Sequence, residues 1–269
     1  MNIMQEKLLL MLRFLHEFCV SKGIRYYAIG GTMLGIARHK GFIPWDDDID
    51  IGMPRNDYEL FIELFKNEQN DYYTIETPAS NDPAYIYPFS KMYDTRTTLI
   101  EKLHKPLKRG IYIDIFPLDG IGNSIQDAKK VMKKIESRKK VLNLRTLAID
   151  RNRFFGKNVI LRLIQALPNI VLNNKKLICS IDNLCKNKDF DSSNLAGNLV
   201  GAWGWKEIMP REFFGEPTLY TFENISVMGV EKADAYLSHL YNDWRNLPSE
   251  EKQVTHHSYT VDFNKSYLG

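Results

Sequence analysis

Leu8, Met11, Leu12, Leu15, Phe18 and Cys19 recur at three- and four-residue steps, which predicts an amphipathic helix with one apolar stripe. Gly23 is placed to stop it. Residues 26–29 read as a short strand, and Gly30-Gly31-Thr32 then turns into a short helix reaching about His39. Residues 40–45 form a loop into a second strand at 48–51. Pro54 starts the next helix, with Tyr58, Phe61, Ile62 and Phe65 on its buried side. Further strands are predicted at 72–76, 89–93, 99–103 and 111–116, the last ending at Pro117. Beyond Gly122 the pattern changes: residues 125–190 are helical in character with no convincing strand, and 201–269 are aromatic-rich with a last helix near 232–244. The order predicts an α/β (α+β) protein: a core at 1–122, a basic helical insertion at 123–200, and a C-terminal cap packing on the core at 201–269.

Chemistry concentrates in Ile29-Gly30-Gly31-Thr32 and in Trp45-Asp46-Asp47-Asp48-Ile49-Asp50-Ile51. A glycine pair between strand and helix lets backbone approach a ligand closely, and the N–H groups of a helix start suit a phosphate. Two residues apart on a strand, Asp48 and Asp50 point the same way while Ile49 and Ile51 face the core. Carboxylates projected together repel unless a cation sits between them, and hard oxygen ligands suit Mg²⁺ or Mn²⁺. Asp114 is the third acid, opposite the face formed by Ile111, Ile113 and Ile115. Should its strand lie beside the first, three acids converge as in metal-assisted phosphoryl transfer. A calcium loop of the EF-hand type fails because its sixth position would be Ile51 rather than glycine. A nucleotide-sugar glycosyltransferase bearing an Asp-x-Asp element remains a rival reading of the acids alone.

The stretches GGTMLGIARHKGFIPWDDDIDIGM, FSKMYDTRTTLIE and GIYIDIFPLDGI, in that order over residues 26–122, closely resemble the LicD-like phosphocholine transferase family, which includes relatives of fukutin. A looser likeness continues to His256-His257. The resemblance implies a nucleotidyltransferase-type mixed-sheet core, a divalent metal (Mg²⁺ or Mn²⁺), and transfer of phosphocholine from CDP-choline to a sugar hydroxyl of a surface glycan such as teichoic acid, lipopolysaccharide or capsule, with CMP released. It matches Asp48, Asp50 and Asp114 to the catalytic metal-binding acids. Gly30, Gly31 and Thr32 match the phosphate-binding turn, and Lys91 a basic position meeting the nucleotide or diphosphate. Transfer of another phospho-alcohol such as glycerol phosphate, or nucleotidyl transfer proper, are the alternatives. The chain departs from the family pattern at Tyr241-Asn242-Asp243, where Tyr-Gly-Asp is more usual.

Other residues attach to this reading. Arg38 is a candidate phosphate partner or helix cap, and His256 a candidate general base for the acceptor hydroxyl. Tyr85, Tyr87, Phe89, Tyr93, Trp203 and Trp205 are available to cage a quaternary ammonium.

Composition adds location. The net charge is +3, yet residues 129–153 hold ten Lys/Arg against two acids. That segment suits anionic lipid head groups near a lipid-linked acceptor, and it lacks the interleaved aromatics expected of a nucleic-acid binder. Three cysteines with no CxxC pair predict free thiols in a reducing compartment and no structural zinc. No apolar run is long and unbroken enough for a signal peptide or membrane span, which predicts a cytoplasmic protein with peripheral contact at the inner face of the membrane.

Overall fold

The computed structural model describes residues 1–150, 155–168, 171–255 and 259–269. Its elements in chain order are α1 (Ile3–Lys22), β1 (Tyr27–Ala28), α2 (Gly30–His39), β2 (Asp50–Pro54), α3 (Arg55–Lys66), β3 (Tyr73–Glu76), β4 (Ser90–Asp94), β5 (Thr98–Glu101), β6 (Leu107–Arg109) and β7 (Tyr112–Gly122). Then follow α4 (Ile125–Thr146), α5 (Phe155–Ala166), α6 (Asn174–Cys185), β8 (Leu195–Gly197), β9 (Ile208–Pro210), β10 (Thr218–Phe222), β11 (Ile225–Gly229), α7 (Ala233–Tyr241) and β12 (Tyr259–Asp262).

The α/β mixed-sheet core is as expected. The main sheet runs β10-β11-β1-β2-β7-β4-β3, with β8 pairing the far end of β7 and β9 pairing β8. Two pairings are parallel, β1 with β11 and β2 with β7, and the rest are antiparallel. A second sheet, β12-β5-β6, is antiparallel. α1 closes with a reciprocal cap, Gln5 N–H donating to the Asn2 side chain and Asn2 N–H to the Gln5 side chain, and ends on Gly23 at φ +66°. The predicted stripe, Leu8 through Cys19, is wholly buried. α1 and α3 both pack on β7, over Ile49, Ile51, Ile113 and Ile115, none of which is exposed. Each such side chain contributes about 1.5–3 kcal/mol by leaving water.

Three sequence expectations are corrected. The strand at 111–116 does not end at Pro117 but runs to Gly122. Pairing with β4 stops at Ile115 and pairing with β8 begins at Asp119, so Pro117 has a neighbour on the β2 side alone and its missing N–H empties no ladder position toward β4. Next, the ladder of β2 begins at Asp50 rather than at residue 48, although the alternation of buried isoleucines and part-exposed acids holds through Asp48. Finally, the segment expected as a cap supplies β10 and β11, which form one edge of the main sheet through β1. The two-residue β1 cannot end a sheet alone, and residues distant in sequence complete it.

The insertion is helical as expected. It is tied to the core by Arg55, which donates to both oxygens of Asp119 at 2.8 and 2.7 Å and to Asp182 of α6 at 2.9 Å. No helix among the described residues is long and apolar enough to cross a membrane.

Candidate active site

Asp50 opens β2 and Asp114 lies on β7, and the parallel register makes them direct partners. Asp114 N–H donates to the Ile49 carbonyl at 3.0 Å, so the pairing continues into the segment that carries Asp48. The three acids line one cleft of about 620 Å³. Gly30 and Gly31 stand on its wall.

The helix start fits this wall tightly. Gly30 has φ +54°, and a Cβ there would stand 3.1 Å from Asp50 Oδ2. A Cβ at Gly31 would stand 3.0 Å from Asp46 Oδ2. Gly30 N–H donates to the Tyr236 hydroxyl at 2.9 Å, while Gly31 and Thr32 N–H belong to the first turn of α2 and have no intrahelical acceptor. Thr32 is buried and its Oγ1 accepts from Asp50 N–H at 2.9 Å, so it fixes the strand rather than lining the cleft. Gln5 of α1 donates to the Asp46 carbonyl at 2.9 Å and steadies the acidic loop from behind.

Burial, then repulsion from Asp48, Asp114 and Asp46, pushes the Asp50 carboxyl well above the usual carboxylate range. Burial also raises Asp114 to about 6, with Lys91 opposing the shift and Asp48 adding to it. Lys91 is 1% exposed. Its Nζ stands 2.7 Å from Asp114 Oδ1 in a buried ion pair. The rings of Tyr112, Tyr87 and Phe89 surround that ammonium, with centroids at 3.3, 4.3 and 5.6 Å. Lys91 therefore meets the site through Asp114, not from the cleft wall.

Arg38 donates to the carbonyls of Trp244 and Asn246 at 3.1 and 3.3 Å, holding the segment after α7. His256 lies outside the described residues. Of the aromatics singled out for a cage, Tyr87, Phe89 and Trp203 line the cleft. Trp203 packs edge-on against Tyr241, which lines it too, at 5.5 Å between centroids. Tyr85, Tyr93 and Trp205 are not on this wall.

Glu207 is the residue that pattern reading missed. It lies just before β9 yet lines the same cleft. Its Oε1 accepts from Trp203 N–H at 2.8 Å, and both carboxylate oxygens sit where a Cβ on Gly201 would be. Burial raises its carboxyl to about 7, against the pull of that N–H and of Lys139. Lys139 of α4 lines the cleft as well, and its ammonium donates to the Gly201 carbonyl. Residues 204–207 belong to the looser family likeness, but nothing local gave Glu207 a place in the site, because its neighbours in the cleft come from β2, α4 and α7.

Among the described residues no group of three or more His, Cys, Asp or Glu side chains forms a ready-made metal cage. The donor set nonetheless fits a hard divalent ion. It offers carboxylate oxygens lining one cleft, with Asp50 kept from ionising by burial and then by its acidic neighbours, and Mg²⁺ ordinarily takes only one or two carboxylates with the remainder from substrate phosphates and water.

Comparison with known proteins bears on what this cleft does. Residues 23–142 match the family model described as LicD/FKTN/FKRP, nucleotidyltransferase domain. The chain is similar to the lipopolysaccharide cholinephosphotransferase LicD of Haemophilus influenzae, 30% identical over 250 residues and covering 91% of each chain. It is also 42% identical over 107 residues to an uncharacterized protein of Rickettsia prowazekii, 39% of this chain and 36% of that one. A shorter likeness, 55% over 31 residues, links it to the human ribitol 5-phosphate transferase FKRP, 12% of this chain and 6% of that one.

Proposed function

Because the chain belongs to the LicD/FKTN/FKRP nucleotidyltransferase family and is a phosphotransferase of that family, a cholinephosphotransferase homologue, we propose that it moves phosphocholine from CDP-choline to a sugar hydroxyl of a surface glycan, releasing CMP. The relative that matches over most of its length is named for cholinephosphate transfer to lipopolysaccharide; lipopolysaccharide, teichoic acid or capsule is the acceptor class, reached on the cytoplasmic side.

The observation that carries this reading is the composition of one cleft: Asp48, Asp50, Asp114 and Glu207 with Tyr87, Phe89, Trp203 and Tyr241. Acids alone would serve any nucleotide donor. Aromatic faces beside acids favour a quaternary ammonium over a neutral polyol.

Members of the family generally depend on a divalent metal. Asp48, Asp50 and Asp114 would hold it, and it would neutralise charge on the diphosphate and at the phosphorus under attack. The remaining work falls to the chain itself. The first-turn amide at Gly31, on the cleft wall, meets phosphate oxygens. Lys91 holds Asp114 in place and balances part of the negative charge of the cluster. Glu207 takes the proton of the acceptor hydroxyl as its oxygen bonds to the phosphorus of phosphocholine. The bond from that phosphorus to the bridging oxygen breaks, and the electron pair leaves with CMP.

The test is product analysis of purified protein with CDP-choline, Mg²⁺ and candidate acceptor glycans. CMP together with phosphocholine on the glycan supports the reading. Pyrophosphate, or turnover only with a polyol-phosphate donor, overturns it.

A further inference from the structure

The insertion leaves one face uncovered. On α5 and the turn that follows it, Val159, Ile160, Leu163 and Leu167 are 38%, 60%, 65% and 39% exposed, while Leu161 is buried. At about 100° per residue these four share a single arc of roughly 100° with Gly156. Exposed apolar residues are ordinarily scattered singly, and a contiguous group marks a contact surface. Lys157 and Arg162 border the arc on either side, and α5 carries no acid. Across α4, α5 and α6 there are twelve Lys/Arg and three acids.

We infer that this face rests on an anionic lipid bilayer. An apolar helix face edged by cations, with the polar side turned to the protein, has the build of a helix that lies in the membrane interface. Charge argues for the bilayer over a second copy of the chain, since two such faces would bring like-charged surfaces together. The site's architecture agrees with that placement. A second cavity of about 250 Å³, to which α5 contributes Gln165, shares Ile86, Leu103 and Thr146 with the active-site cleft. α5 thus borders the neighbourhood of the cleft through its protein-facing side, and a lipid-linked acceptor would arrive near the cleft from the bilayer beneath its other side; that last clause rests on the proposed transferase reading. The contact differs from the one expected of residues 129–153. α5 makes it, and Arg151 and Arg153 lie outside the described residues.

Flotation of the full chain with phosphatidylcholine vesicles, with and without phosphatidylglycerol, tests the inference. Binding is expected with phosphatidylglycerol, weakening as salt rises. I160D/L163D is expected to lower the bound fraction at least about tenfold, both side chains being apolar area returned to water, while leaving CMP release with a soluble acceptor unchanged. K157E/R162E, which touches no apolar contact, is expected to weaken binding and its salt dependence, and serves should the first variant not fold. Absence of wild-type binding overturns the inference. So does unchanged binding in both variants, or a wild-type dimer that I160D/L163D dissociates. The assay contains no donor, so its failure leaves the transferase reading untouched.

Discussion

Asp50 and Asp114 face each other across the parallel pairing of β2 and β7, so two carboxylates from segments some sixty residues apart share one rung of the sheet. Repulsion within the cluster makes it costly in the absence of a cation. Asp48→Asn, Asp50→Asn and Asp114→Asn should each lower CMP release at least about a hundredfold, the scale of losing a principal electrostatic stabiliser. Near-normal turnover in any one removes that residue from the set.

Burial of Asp50, reinforced by that repulsion, gives a stability prediction of unusual sign. The folded-state carboxyl of Asp50 is raised, so the folded protein holds a proton that the unfolded chain releases, and stability falls as pH climbs from the ordinary carboxylate range toward the raised value. In chelator at neutral pH, Asp50→Asn should therefore raise the urea midpoint while abolishing turnover. Adding Mg²⁺ or Mn²⁺ should raise the midpoint of the wild-type protein and leave that of Asp50→Asn nearly unmoved.

Glu207, at about 7, is protonated through much of the acid range. A base must be ionised, so turnover should rise with pH through about 7, and Glu207→Gln should lose that limb along with about a hundredfold of rate. Stability runs the other way. The raised value favours the folded state below the ordinary glutamate range, and that advantage fades as pH approaches 7. Retention of the wild-type pH profile in Glu207→Gln would remove it as the base.

Arg55 is buried with both oxygens of Asp119 on its guanidinium. Arg55→Met leaves Asp119 charged and unpaired, at a cost of about 3–5 kcal/mol in urea unfolding. Arg55→Met with Asp119→Leu should recover most of this, because no buried charge then lacks a partner.

Asn242 has φ +60° and ψ −111°, a conformation that suits a residue without Cβ. The glycine more usual at this point of the family pattern fits that backbone. Asn242→Gly should therefore raise stability by about 1 kcal/mol, strain relief exceeding the added chain entropy. A lowered melting temperature would count against it.

Much of the site was legible in the chain. Isoleucines alternate with Asp48 and Asp50, and again around Asp114, and the structure keeps both alternations because a period of two is a local property of extended backbone. The glycines at 30 and 31 were equally readable, since the φ of one and the close approach of both to acids leave no room for a Cβ. Whether the two acidic segments meet was a matter of register.

Only the tertiary structure decided the rest. Pairing of β2 with β7 put Asp114 opposite Asp50, and β10 and β11 joined the main sheet from the far end of the chain. Lys91, an ordinary lysine by sequence, is enclosed by three rings and bound to Asp114. Glu207 gained its raised pKa from burial alone, against the pull of Lys139 and of Trp203 N–H. Periodicity and turn chemistry act between neighbours a few residues apart, so the chain writes them out. Register, burial and the charge a side chain bears depend on segments that meet only after folding.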